Sequence, residues 1–193
     1  VSKKQQIIQA AIKVFAQKGL EKGKIADIAR KADIGKGTVY EYFSSKDDIF
    51  SAIENYVVQG MLQDLDQFVE IDLPPSKKLR HIIDRSMEAF LAMGESLLIV
   101  TELWAQSARG LWHGSSDMAI IGMYDSYRKT IISILKAGID RGDFRPMDTD
   151  GVATLLLAFM DGLIWQYMIM NDPEAFDLVW KEAVKSFFRG IER

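Results

Sequence analysis

With 193 residues and 48% hydrophobic side chains, the chain can bury one large core or two small ones. It has no Cys, which excludes disulfides, thiol catalysis and Cys-based metal sites and fits a reducing cytoplasm. The net charge of −3 is unevenly spread: residues 1–43 carry nine Lys/Arg against four Asp/Glu, or +5, leaving −8 on the remaining 150. A basic end on an acidic chain suits a polyanionic partner at that end. The start, Val1-Ser2-Lys3-Lys4, is too polar for a signal peptide, and without an initiator Met the ends can be trimmed products.

The first element is a helix through Ile7, Ile8, Ala11, Ile12 and Phe15, stopped by Gly19. Ile25 to Phe43 then reads as two short helices around a corner. Ile25, Ile28, Ala29 and Ala32 form one apolar face, and Val39, Tyr40 and Phe43 the other. Ala32-Asp33-Ile34-Gly35 is short enough to force a sharp turn, Asp and Gly tolerate corner geometry, and Ile34 can plug the angle. That is a helix-turn-helix, whose second helix can enter a DNA major groove. An ordinary corner in an all-α domain has the same spacing, so the charges decide. The exposed side of the second helix offers Lys36, Gly37, Thr38, Glu41 and Tyr42, with Lys46 just beyond. Lysines and hydroxyls at a helix start suit phosphate oxygens. Gly37 leaves nothing to hold the backbone away from a sugar-phosphate wall.

Helical periodicity continues to the end of the chain. Residues 46–68 predict one long helix, ended by Leu73-Pro74-Pro75-Ser76, which also opens the next, running to about 93. Gly94 precedes a short helix over 95–106, 110–116 reads as a loop, and a helix over 117–141 is stopped by Gly142. Two more follow, 149–170 and 173–193, the last capped by Asp172 with Pro173 at its first position. The fold expected is all-α with about nine helices.

At its N-terminal end the chain resembles the TetR (tetracycline-repressor-like) family of transcriptional regulators. The resemblance lies in Ile28-Ala29-Arg30-Lys31-Ala32, in Gly35-Lys36-Gly37-Thr38-Val39-Tyr40-Glu41-Tyr42-Phe43-Ser44-Ser45-Lys46, and in the opening Ile7 to Gly19, about a quarter of the chain. It implies a helix-turn-helix domain over residues 1–46 and a ligand-binding and dimerisation domain over 47–193. It also implies a repressor released from its operator by a small molecule. The DNA-binding residues expected are Lys24, Lys36, Gly37, Thr38, Tyr40, Glu41, Tyr42 and Lys46, with Lys46 beside the phosphate backbone. Two departures matter. Gly23-Lys24 replaces the usual capping Thr, so Lys24 can serve phosphate but not the cap, a loss of about 1 kcal/mol. Gly35 stands where Ser is common, and Glu41 places a negative charge on the reading helix, where it can accept from a cytosine amino group. The operator sequence is therefore not inherited.

Val152 to Met170 is nearly long and apolar enough for a membrane span, but Asp161 near its middle would cost about 2.5–3.5 kcal/mol. A largely buried helix of a cytosolic protein is the reading adopted, with no membrane partner. One face meets the core and the other needs a partner, as does the last helix, with Trp180 and Phe187 as interface residues. Pairing with symmetry copies gives a homodimer, and with it a palindromic operator read about one turn, ~34–36 Å, apart. The middle helices are rich in Met and aromatics, adaptable lining for a ligand, and Trp104 and Trp112 flank the 110–116 loop. In the family this region encloses the inducer, so Phe90, Trp104, Tyr127 and Trp165 are the expected lining. An apolar or aromatic ligand fits, and Glu102 or Asp161 would also suit a cation. No cofactor or metal is called for. His81 and His113 lie in no ligand motif, Gly35-Lys36-Gly37-Thr38 lacks the spacing of a phosphate loop, and no nucleophile stands with a base. The alternative is a helical small-molecule-binding or interaction protein without a DNA role, which leaves the basic end unexplained.

Overall fold

Side-chain and backbone caps set where the first helices begin and turn. In the computed structural model, which describes residues 2–112, 118–170 and 172–193, α1 (Lys3–Lys22) opens with a reciprocal capping box. Ser2 Oγ accepts from the Gln5 N–H, and Gln5 Oε1 accepts from the Ser2 N–H. Gly19, at φ +75°, breaks α1 where a stop was expected, and one further turn runs on to Lys22. The next helix, α2 (Ile25–Lys31), starts at Lys24 without a side-chain cap, as its sequence predicts. It ends in a Schellman motif, in which the Ile34 N–H donates to Ala29 O at 3.0 Å and the Asp33 N–H to Arg30 O at 3.2 Å. Asp33 sits at the left-handed position of that motif, φ +51°. The chain then enters α3 (Lys36–Tyr42) at Gly35, again without a side-chain cap.

Beyond these come α4 (Lys46–Glu70), α5 (Pro75–Ala92), a 3-10 turn at Gly94–Ser96, α6 (Leu97–Trp112), α7 (Met118–Arg141), α8 (Thr149–Met170) and α9 (Pro173–Ile191). Nine α-helices among the described residues, with one isolated bridge between Phe144 and Glu192, make the fold all-α as expected. The short helix expected over 95–106 is instead the 3-10 turn followed by the longer α6, so Gly110 is helical. Residues 111 and 112 are helical too, while residues 113–116 of the expected loop, His113 among them, fall outside the described residues, as does the Trp112 side chain. Asp172 caps α9 by accepting from the Ala175 N–H at 3.0 Å, with Pro173 in the first turn.

Packing divides the chain into two compact units. One comprises Val1–Gln63 with Leu91–Met123, the other Asp64–Phe90 with Tyr124–Arg193. This is not the division by role at residue 46, because α6 and the 3-10 turn pack on α1 and join the first unit. The core of the first unit is built from Ile7, Ile28, Val39, Ile49 and Ile53, all with no exposed surface. In the second, α9 turns Phe176, Trp180, Val184, Phe188 and Ile191 inward. Spacings of three and four residues put them on one helix face. Phe144 is fully buried against Gly138, where an added Cβ would lie 2.2 Å from its ring.

Candidate nucleic-acid interface

The helix-turn-helix is held from beneath. Ile28, Ala29, Ala32, Val39 and Phe43 are buried, and Ile34 is half-buried at the corner. The Gln6 amide also donates to Ala32 O at 2.6 Å, tying α1 to the turn. Tyr40, read as part of the apolar face, is instead 48% exposed, because Val39 and Phe43, four residues apart, already fill that face. Its ring lies under Lys36, whose ammonium is 5.6 Å from the centroid. Lys36, Gly37, Tyr40, Glu41 and Tyr42 therefore form one exposed surface of α3, with Thr38 half-buried at its edge and Lys24 exposed at the start of α2. A Cβ on Gly37 would meet nothing within 4 Å, so the fold itself does not require glycine there. Asp27 does not oppose this basic surface freely: its carboxyl is held below the usual range mainly by Lys18, whose ammonium is 3.0 Å away, while Arg30 adds a weaker pull.

Lys46, expected beside the phosphate backbone, stands at the start of α4. Its ammonium donates to Leu20 O at 2.6 Å and Glu21 O at 3.2 Å, at the end of α1. The start of α4 is capped separately. Both the Ser44 N–H and its hydroxyl donate to Asp48 Oδ2, and the Asp48 N–H donates to Ser45 Oγ. These bonds, the one with the Ser44 hydroxyl foremost, hold the Asp48 carboxyl below its ordinary range.

The residues expected around a ligand are divided between the two packing units. Phe90, Tyr127 and Trp165 belong to the second unit and Trp104 to the first. Trp165 is 44% exposed, whereas Phe90, Trp104 and Tyr127 are half-buried. Burial pushes the Tyr127 hydroxyl up to about 12, with a hydrogen bond to Ser86 opposing and the Asp64 carboxylate assisting. Glu102 is engaged by Arg109 at 3.1 Å. Asp161 accepts from the Tyr124 hydroxyl at 2.9 Å, in a pair inside the second unit between α7 and α8 that composition alone did not reveal. Burial raises Asp161 above the ordinary carboxyl range, and burial together with the Asp161 charge raises Tyr124 well above an ordinary phenol. A cleft of 470 Å³ in the second unit is lined by Val69, Leu73, Lys78, Thr130 and Ile134 among others, and by none of the four expected residues. His81 packs edge-on to Phe68, a core contact.

Trp180, expected at a subunit interface, is 9% exposed and stacks on Phe159 and Phe176 at 6.2 and 6.4 Å. Phe187 is half-buried and stacks on Phe159 at 6.4 Å. Both make ring contacts within their own unit. The apolar side chains left exposed on α8 and α9 are Leu155, Trp165, Ile169, Met170, Leu178 and Val179. The fourfold stripe Phe176-Trp180-Val184-Phe188 was the signal that could have separated the inner face of α9 from the outer. Only 28% of the most apolar window of α8 is buried, so its surface is more open than a largely buried helix implies.

Comparison with known proteins converges on this geometry. Residues 7–53 match the family model "Bacterial regulatory proteins, tetR family". The chain is 29% identical over 185 residues to the nicotine-responsive transcriptional repressor HdnoR of Paenarthrobacter nicotinovorans, covering 92% of this chain and 90% of that protein. It is 25% identical over 177 residues to the transcriptional regulator YhgD of Bacillus subtilis, covering 90% and 88%. Its fold is shared with a transcriptional regulator from Saccharomonospora viridis solved in complex with choline, at a TM-score of 0.79, 21% identity and coverage of 98% and 97%. The matched N-terminal domain, the all-α fold and relatives aligned along nine-tenths of the chain place this protein among the helix-turn-helix transcriptional regulators of the TetR family.

Proposed function

We propose that the chain is a homodimeric repressor that reads a palindromic operator in the cytoplasm and is released by a small apolar or aromatic ligand. The observation that carries the DNA reading is the outer surface of α3. Lys36, Gly37, Tyr40 and Tyr42 are exposed together on a helix whose other face is locked into a closed core. Lys36 and the hydroxyls supply donors for phosphate, and Gly37 admits close approach. Nothing in this surface resembles an active site, and the role is binding rather than catalysis.

The exposed apolar side chains of α8 and α9 support dimerisation, since a second copy would cover Leu155, Ile169, Leu178 and Val179 by self-complementary packing. The nicotine-responsive relative and the choline complex support a small-molecule effector, and the half-buried Phe90 and Tyr127 of the second unit remain residues proposed for it. Release needs only that the ligand prefer the conformer that fits DNA poorly; affinity then falls by that preference and no more. A mobility-shift titration with fragments of source-organism DNA tests the function. A retarded complex formed by the parent chain and weakened in Lys36→Ala is expected. No shift with any fragment would return the chain to the class of helical binding proteins without a DNA role.

A further inference from the structure

A carboxylate drawn out of water ordinarily keeps a cation beside it, because burial penalises its charge. Asp27 has Lys18 at 3.0 Å, Asp143 has Arg141 at 3.5 Å, and Asp84 lies in the field of Arg80. Among the described residues Asp161 has none. It stands half-buried midway along α8, in the second unit, and its Oδ2 accepts from the Tyr124 hydroxyl of α7 at 2.9 Å. Burial raises its carboxyl, and the Tyr124 bond alone opposes. An asparagine would hold the same hydroxyl without that penalty, so the fold does not need the charge. Aromatic rings flank the pair. Trp165 follows Asp161 by four residues and Tyr127 follows Tyr124 by three, each one turn along the same helix face. Trp165 is 44% exposed, so this end of the seam opens to solvent. Tyr127 bonds in turn to Ser86 of α5, one turn before Phe90.

We infer that Asp161 is the anchor of a site for an organic ammonium ion, a protonated amine on an apolar body. Oδ1, which accepts no hydrogen bond from a described residue, takes the ammonium N–H, and the rings of Tyr127 and Trp165 receive the body and the spread of positive charge. Tyr124 fixes the carboxylate by occupying Oδ2, and it stays a donor because burial and the Asp161 charge hold its own ionisation well above the ordinary range. The inference deepens the reading of the chain as a ligand-responsive regulator, and rests on it, by giving the effector a positive charge.

The test is calorimetric titration of the full chain, without DNA, by two probes. N,N-dimethylbenzylamine is cationic at neutral pH, and N,N-dimethylbenzamide is neutral and nearly the same shape. The parent is expected to bind the amine about ten- to hundredfold more tightly than the amide, the range of a charge-assisted hydrogen bond. Asp161→Asn should lose that preference while binding the amide as the parent does. A parent that binds the two alike, or neither, would overturn the proposal, as would an Asp161→Asn chain that still prefers the amine. Should Asp161→Asn fail to fold, the Asp161 13Cγ resonance of the parent decides. It should move on addition of the amine and not of the amide, and an unmoved resonance would refute the site. Amine binding as expected, with a DNA complex that survives saturating amine in the mobility shift, would support the site and count against release by ligand.

Discussion

Gly37 separates what the fold needs from what the partner needs. A methyl group there meets no neighbour, and alanine is the better helix former by about 1 kcal/mol. Gly37→Ala is therefore expected to raise the melting temperature while weakening operator binding, a pair of opposite changes that calorimetry and a binding titration read on one variant. A parallel fall in both would show that glycine serves the fold. Asp33 is the complementary case. It occupies the left-handed position of the Schellman motif, which costs a non-glycine residue about 1–2 kcal/mol, so Asp33→Gly should stabilise the chain by up to about 1 kcal/mol in denaturant titration. At this scale the sequence was most legible where a residue's chemistry is local. Gly19, Asp33, Gly35 and Asp172 could be placed from conformational preference alone. Lys46 could not, because its partners lie 25 and 26 residues away and no periodicity links them.

Between elements, the Tyr124–Asp161 bond ties α7 to α8 through a partly buried carboxylate. Burial raises Asp161, so the folded protein holds its proton more tightly than the unfolded chain does. The resulting stability is present at acid pH and is lost as pH rises from the ordinary carboxyl range through the raised value. Relative to the parent, Asp161→Asn should thus gain stability as pH climbs through that window and hold the gain above it. Urea denaturation at several pH values checks this, and an advantage that shrinks with rising pH would contradict the burial assignment. Tyr124→Phe should cost about 1–3 kcal/mol at neutral pH by leaving the carboxylate without its donor, and less at acid pH. Helix boundaries were legible from Pro75, Gly142 and Asp172. The packing boundary was not, because the attachment of α6 to α1 is a tertiary choice with no local signature.

For the whole molecule, the two faces of α9 carry different duties. Leu178 is 69% exposed and Trp180 9%, so Leu178→Asp should give folded monomers and Trp180→Asp an unstable chain, distinguishable by sedimentation together with melting temperature. Folded dimers of Leu178→Asp would remove this face from the proposed interface. The apolar excess of the last two helices was visible in the sequence. Which side chains point outward was not, since the buried Trp180 is as apolar as those left exposed. The central claim is that two copies of α3 read one duplex, and footprinting of the purified protein on source-organism DNA fragments tests it most directly. The account predicts two protected, inverted half-sites whose centres lie one helical turn, about 34–36 Å, or a multiple of it apart, with Lys36→Ala weakening both. A single protected segment without symmetry, or protection that survives Lys36→Ala together with Gly37→Ala, would contradict it.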